Sequence, residues 1–316
     1  MNGTEAMSKR IGIVWNPTKI DEGALRDAVS AAFDDDVEVL WWETAEDDPG
    51  RAMALAAVEA ACDILVAVGG DGTVRTVAEV LAGVDQAPQL GIVPQGTGNL
   101  LARNLGIPLG SIPKALARIT AGEHREIDMG WVRVGDEDAE TGFLVMIGFG
   151  LDAHMLAETD DGLKDRAGWL AYVEAMGRAF TAAQNVEFAL SLDGGDEQSM
   201  SGHTLLIGNC GAIQGGLTLL PDAVPDDGQL DLLLVSAENA VQWAQTVRTI
   251  VWDNGIRRLI GGADETVSID AAQHLTGAAA RVRMDGPVPF EIDGEEAGEV
   301  AAFEVRVQPG ALRILC

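Results

Sequence analysis

The chain has 316 residues, 47% hydrophobic and 22% charged, which suits about two domains of ordinary size. Asp and Glu number 50 against 21 Lys and Arg. The resulting formal charge of −29 argues against a nucleic-acid partner, whose phosphates demand a basic face. It also disfavours long-range attraction to anionic membranes and favours solubility, as in a saline setting. No run approaches the ~18 consecutive apolar residues of a membrane span. The apolar run after the polar N-terminus, residues 11–15, is too short for a secretory segment. Cys62, Cys210 and Cys316 are odd in number, far apart and without metal-ligand spacing, so a reduced, cytoplasmic setting is expected.

Residues 11–14 form a short apolar strand that ends in the polar turn Asn16-Pro17-Thr18-Lys19. Residues 23–33 have helical spacing, with Leu25, Ala28, Val29 and Ala32 on one face. A strand over 37–42 follows. Asp48-Pro49 then reads as an N-cap and first helical position, opening a helix to about residue 61. A buried strand over 64–68 runs into Gly69-Gly70-Asp71-Gly72-Thr73, with a helix over 74–81 behind it. A strand over 89–94 leads into a second glycine-rich turn, Gln95-Gly96-Thr97-Gly98-Asn99, and a further helix. Alternating strands and helices predict a doubly wound, mostly parallel sheet. Ligands of such sheets sit beyond the carboxyl ends of the strands, where all three polar turns fall.

Near residue 126 the pattern changes. Residues 126–134, 142–147, 186–192, 203–209, 230–235, 266–269, 281–284, 288–292 and 303–307 read as strands. Only 163–180 and 239–252 read as helices between them. Strand-dense sequence with few crossover helices predicts an antiparallel, sandwich-like second domain. The expected division is therefore 1–125 and 126–316. No internal repeat or low-complexity linker interrupts it.

The glycine turn carries the most chemistry. Its N–H groups and the helix N-terminus behind it make a site for phosphate oxygens. Asp71 would repel a phosphate unless magnesium, directly or through water, lies between them. The competing reading is a tight turn whose Asp caps the following helix. No Gly-Lys pair exists for a Walker A loop, and no Gly-x-Ser-x-Gly occurs. Gly148-Phe149-Gly150-Leu151-Asp152-Ala153 formally fits a dinucleotide fingerprint but lies in the strand-rich half. The four histidines are scattered, so no His-based metal site or triad is expected. Two acidic turns remain, Asp226-Asp227-Gly228 and Asp293-Gly294-Glu295. Either is an ordinary solvated turn when taken alone. A phosphate-transferring enzyme needs a carboxylate base near the acceptor hydroxyl and metal-linked carboxylates near the phosphates. Asp71, Asp293 and Glu295 are the candidates for those roles.

In this order, Asn16-Pro17, Gly69 to Thr73, Gly96-Thr97-Gly98-Asn99, Asp227-Gly228 and Asp293-Gly294-Glu295 resemble soluble diacylglycerol kinases and their sphingosine kinase relatives. The first motif alone is shared with NAD kinases and phosphofructokinases; the ordered series is more specific. The resemblance implies ATP-dependent phosphorylation of a lipid hydroxyl. It implies an N-terminal nucleotide domain, a β-rich C-terminal domain and an active site between them. By matching position it puts nucleotide contacts on Asn16, Pro17, Thr18, Lys19, Ile20, Thr44, residues 70–76 and Thr97. Gly69, Gly96, Gly98 and Asn99 complete the two turns.

Glu295 matches the proton acceptor, while Asp71, Asp128 and Asp293 match an acidic, magnesium-linked network. Asp227 matches a structural magnesium ligand, helped by backbone carbonyls at Val224 and Gln229. Lys164 matches a basic residue near the phosphates, and Asp152 lies where sphingosine kinases contact the lipid head. The implied cofactors are ATP and Mg2+. The implied partner is a lipid substrate met in transient contact with a membrane surface, and homodimer formation stays open.

Two departures from the family pattern stand out. The first turn reads Asn-Pro-Thr-Lys where many members have a small residue and glycine, which weakens the match at Lys19 and Ile20. The chain ends soon after the strand-like residues 311–315, so a tail returning to the first domain is expected to be short or absent. Residues 240–260 hold Trp243, Trp252 and Arg257-Arg258, which suit core packing better than a membrane-facing stripe. The alternatives are an NAD kinase-like phosphotransferase, which the Gly-Thr-Gly-Asn turn and late Asp-Gly-Glu speak against, and an inactive nucleotide- or lipid-binding regulator.

Overall fold

A computed structural model describes residues 9–34, 36–135, 137–150, 185–213, 218–236 and 272–316. Its contacts divide the chain into two units, one of residues 1–127 with 310–316 and one of residues 128–309.

The first unit alternates strand and helix as the periodicity predicts. In order come β1 (Arg10–Trp15), α1 (Glu22–Ala32), β2 (Glu38–Glu43), α2 (Arg51–Glu59), β3 (Ile64–Gly69), α3 (Asp71–Ala82), β4 (Gln89–Pro94), α4 (Leu100–Asn104) and α5 (Ile112–Ala121). Its strands pair in parallel: β2 with β1, β1 with β3, and β3 with β4. All six residues of β3 are buried, as expected of a central strand covered on both faces. α1 packs with α5, and α2 with α3. α1 seats Leu25 and Val29, one turn apart, in the core. Each such side chain contributes roughly 1.5–3 kcal/mol by leaving water.

Helix starts follow side-chain chemistry more closely than composition. Asp21 caps α1 by accepting the Ala24 N–H at 2.9 Å. Asp48 also caps, but for a helix that begins at Arg51 rather than at Pro49. Its carboxylate accepts the N–H groups of Gly50 (2.9 Å), Arg51 (2.6 Å) and Ala52 (3.0 Å). Burial pushes the Asp48 carboxyl up, but these bonds and the Arg51 charge outweigh it and hold its pKa below the usual value.

The chain end returns to this sheet. Ile314 pairs in parallel with Leu90, and Leu315 with Gly91, so Gly310–Cys316 group with the first unit. The returning tail that the sequence led us to expect short or absent is therefore present, as a strand beside β4.

The second unit is antiparallel. β5 (His124–Val134) pairs with β6 (Thr141–Phe143), then come β7 (Met146–Phe149), β8 (Val186–Leu192), β9 (Gln198–Gly202), β10 (Thr204–Gly208), β11 (Leu230–Val235), β12 (Ala272–Gly277), β13 (Ala279–Ile292) and β14 (Glu295–Leu315). β7, β10, β11 and β12 pair in sequence, while β13 pairs with β7, β8 and β14. One core joins them, including Phe143, Ile207, Val282, Phe290 and Phe303. The rings of Phe290 and Phe303 lie 4.8 Å apart across β13 and β14.

Several strands differ from expectation. The runs at 281–284 and 288–292 are one strand, β13, with a register shift between Arg283 and Val288 where Asp285-Gly286-Pro287 intervenes. β9 and β12 are too polar to announce themselves. Gly148 and Gly150 serve β-sheet packing: a Cβ on either would stand 2.0 or 1.9 Å from the carbonyl oxygen of Leu205 or His203. The expected helices over 163–180 and 239–252, the strand over 266–269, and Trp243, Trp252, Arg257 and Arg258 lie outside the described residues. Among those described, no helix is long and apolar enough to cross a membrane. None of the three cysteines is in a disulfide.

Candidate functional site

In the first unit, four polar turns follow the carboxyl ends of four parallel strands. Asn16 follows β1, Thr44 follows β2, Gly70 follows β3 and Gln95 follows β4. Backbone bonds tie the turns to their neighbours: the Asn16 N–H donates to Val68 O (3.0 Å), Thr44 N–H to Trp15 O (2.9 Å) and Gln95 N–H to Gly69 O (2.8 Å). The Asn16 side chain builds its own turn. Its Oδ1 accepts the Thr18 N–H at 2.9 Å and the Thr18 hydroxyl at 2.8 Å. Pro17, Thr18 and Lys19 are exposed.

Asp71 is the first residue of α3, with Gly70 as N-cap. Its carboxylate reaches across to the other glycine turn. Oδ2 accepts the Asn99 N–H at 2.7 Å, and Oδ1 accepts the Leu100 N–H at 2.6 Å. The sequence offered Asp71 as a cap for the helix that follows it; the bonds seen here cap α4, the helix after the second turn. Asn99 closes that turn upon itself in a left-handed conformation (φ 47°). Its Oδ1 accepts the Gly96 N–H at 2.8 Å, and its Nδ2 donates to Gly96 O at 2.6 Å. Arg103 Nε donates to Gly98 O at 2.7 Å, a contact that nothing in the motif spacing announces.

The two turns meet face to face. A Cβ on Gly96 would stand 2.6 Å from Gly70 Cα, so no larger residue fits there without moving backbone. Thr73 is buried, its hydroxyl 2.7 Å from where a Gly69 Cβ would lie, so it packs beneath the turn. Thr44 is buried too, whereas Thr97 is exposed.

In the second unit, Asp293 and Gly294 form the two-residue loop of a hairpin, with Ile292 paired to Glu295. Both loop residues have positive φ, 50° and 80°, the type I′ geometry that Asp-Gly favours. Asp293 is buried, and its carboxylate accepts three backbone N–H groups: Leu144 at 2.9 Å, Val145 at 2.8 Å and Met146 at 3.0 Å. Its own N–H donates to Met146 O at 2.8 Å. Glu295 opens β14 from this anchored turn and is exposed. The pair thus divides into an anchor and an outward-facing carboxylate.

Asp128 is also buried and engaged. Its Oδ2 accepts the Gly228 N–H at 2.7 Å, and its N–H donates to Pro225 O at 2.7 Å. These bonds fasten the loop that carries Asp227. Asp227 itself is exposed and accepts the Gln229 N–H at 2.9 Å through Oδ1. Burial, then the charges of Asp227 and Asp222, push the neighbouring Asp231 carboxyl up to about 6. This concentration of negative charge, with the carbonyls of Val224 and Gln229 on the same loop, suits a hard divalent cation. Magnesium commonly takes one or two carboxylates and keeps several waters. Among the described residues no group of three or more His, Cys, Asp or Glu side chains is arranged to hold a metal, so carbonyls and water would complete the shell.

Asp152 and Lys164 lie outside the described residues. The residue that sequence reasoning passed over is Asn209, at the end of β10, whose amide ties Asp128 to Leu144. Its only sequence signal is a polar side chain closing an apolar strand.

Comparison with known proteins covers both units. The diacylglycerol kinase catalytic domain matches residues 13–132, and the YegS C-terminal NAD kinase beta sandwich-like domain matches residues 145–316. A protein of Salmonella arizonae named "probable lipid kinase YegS" is 29% identical over 308 residues, covering 95% of this chain and 94% of that one. One of the same name from Salmonella heidelberg is 30% identical over the same coverage. The fold is similar to the crystal structure of a diacylglycerol kinase of Bacillus anthracis, at a TM-score of 0.67 and 20% identity, covering 98% of this chain and 96% of that one.

Proposed function

Since the chain belongs to the lipid kinase family of YegS and the diacylglycerol kinases, we propose that it moves the γ-phosphoryl group of ATP to the hydroxyl of diacylglycerol or a related lipid. The observation that carries this reading is the Asp71 carboxylate joining the two glycine turns of the first unit. Those two bonds hold the glycine turns together at the carboxyl ends of a parallel sheet, where ligands of such sheets bind.

In this reading the turns at Asn16, Gly70 and Gly96 hold the nucleotide. The first-turn N–H groups of α3, which helix geometry leaves without intrahelical partners, face its phosphate oxygens. Thr44 and Thr73, both buried, shape the floor of the site. Glu295 takes the proton of the acceptor hydroxyl as its oxygen attacks phosphorus, and Asp293 holds the hairpin that presents Glu295. Asp227 with the Val224 and Gln229 carbonyls would hold a structural Mg2+, which would steady that loop when bound. Asp71 and Asp128 act here as backbone anchors. The lipid is met in transient contact with a membrane surface.

The test is incubation of the purified chain with γ-labelled ATP, Mg2+ and separate vesicle preparations of diacylglycerol, monoacylglycerol and a sphingoid base, with NAD as a soluble control. Label in a diacylglycerol product is the expected result. Label in NAD alone, or in no acceptor, overturns the proposal.

A further inference from the structure

Asn209 is 1% exposed, follows β10 and belongs to no motif assigned above. Its Nδ2 donates to the carbonyl of Asp128 at 3.0 Å and to that of Leu144 at 3.4 Å. The two acceptors lie 16 residues apart in sequence, Asp128 in β5 and Leu144 between β6 and β7, and each helps hold a different functional loop. Asp128 fastens the Asp227 loop through Gly228 and Pro225. Leu144, with Val145 and Met146, holds the Asp293 carboxylate and so the hairpin that presents Glu295. The backbone of Asn209 adds to the hold, its N–H donating to Val145 O at 2.8 Å. Next to it the Cys210 N–H donates to the same oxygen at 3.1 Å.

The orientation of the amide is set by its donors. Reversed, it would aim Oδ1 at two carbonyl oxygens. As placed, Oδ1 has no hydrogen-bond partner among the described residues. A buried acceptor left so is uncommon, and here it accompanies an amide turned to donate to two carbonyls.

We infer that Asn209 is a positioning residue for phosphoryl transfer, one amide that holds the proton-acceptor hairpin and the Asp227 loop in a single arrangement. This rests on the reading of Glu295 as proton acceptor, but the clamp itself is a structural statement that can be tested without turnover. Deleting the amide removes the one side-chain group that donates to both carbonyls, while the β5–β6 ladder and the backbone bonds to Val145 remain.

Hydrogen exchange of the full chain tests the clamp. In the unsubstituted protein the amides of Leu144, Val145, Met146 and Gly228 are expected to exchange with one common opening free energy. In Asn209→Ala, and equally in Asn209→Leu, which keeps the branched shape but not the donors, all four are expected to exchange at least tenfold faster. The amides of Asn99 and Leu100, held by Asp71, should keep their rates. In the lipid kinase assay both variants should lose at least tenfold in kcat with KM for ATP within twofold. Independent opening of the two loops in the unsubstituted protein, or Asn209→Leu with native exchange, overturns the clamp. Accelerated exchange with unchanged kcat overturns the positioning role. If the unsubstituted chain phosphorylates no lipid, the proposed function fails while exchange still decides the clamp. Should Asn209→Ala not fold, Asn209→Leu and the unsubstituted protein carry the test.

Discussion

Asp71 and Asn99, 28 residues apart, are joined by a 2.7 Å bond from the Asn99 backbone N–H to the Asp71 carboxylate. The residue with the most chemical promise in the glycine turn thus also holds the opposite turn in place. Asp71→Asn leaves one of the Asn99 and Leu100 N–H groups facing a donor instead of an acceptor. An unsatisfied group of this kind costs about 1–3 kcal/mol. The expected outcome is a loss of that size in denaturant unfolding, with weaker ATP binding measured by calorimetry. Native stability in Asp71→Asn would remove the anchoring role.

Asp293 and Glu295 are adjacent in motif but opposite in environment, so their substitutions should separate. Asp293→Ala strips three buried backbone N–H groups of their acceptor. About 2–4 kcal/mol of stability should go with it, since the penalties are not fully additive. Glu295→Gln, at an exposed position, should leave stability within about 0.5 kcal/mol. If Glu295 is the base, kcat should fall by about 10²–10⁴. A Glu295→Gln protein with full turnover would refute that assignment, and a Glu295→Gln protein that unfolds early would show the anchor and base to be confused.

Asp231 gives the pH dependence. Its folded pKa of about 6 lies above the 3.8 of an ordinary Asp, through burial and the charges of Asp227 and Asp222. Between those values the folded chain holds a proton that the unfolded chain releases. Its contribution therefore favours folding at acid pH and is lost as pH rises toward 6. A shift of this size sets an upper bound of about 3 kcal/mol, since one pKa unit is ~1.4 kcal/mol, and solvent screening reduces it. Unfolding free energies of Asp231→Asn and the unsubstituted chain should converge near pH 4 and separate toward pH 7, with the variant more stable. Parallel curves across that range would contradict the account.

Much of the fold could be read in order along the chain because its signals are local. β1, β3 and β4 are apolar runs that end at polar or glycine turns, and the Asp-Gly pair at 293–294 has the chemistry of a two-residue hairpin. β9 and β12 could not be read, because Gln198-Ser199-Met200-Ser201-Gly202 and Ala272 to Gly277 carry too little apolar alternation to separate from loop. β13 was divided at Asp285-Gly286-Pro287 because a bulge looks like a turn when no partner strand is visible. Ile314 and Leu315 beside β4 are a pairing across more than 220 residues, beyond any window of periodicity.

Residue types, their order and the strand-to-turn junctions determined the two-part architecture, the glycine turns and the acidic set. The tertiary structure decided what each carboxylate faces. Asp71 faces the N–H groups of Asn99 and Leu100, Asp128 that of Gly228, and Asp293 those of Leu144 to Met146, while Glu295 is exposed. A carboxylate's role follows from its hydrogen-bond donors and its burial, and those donors come from segments remote in sequence.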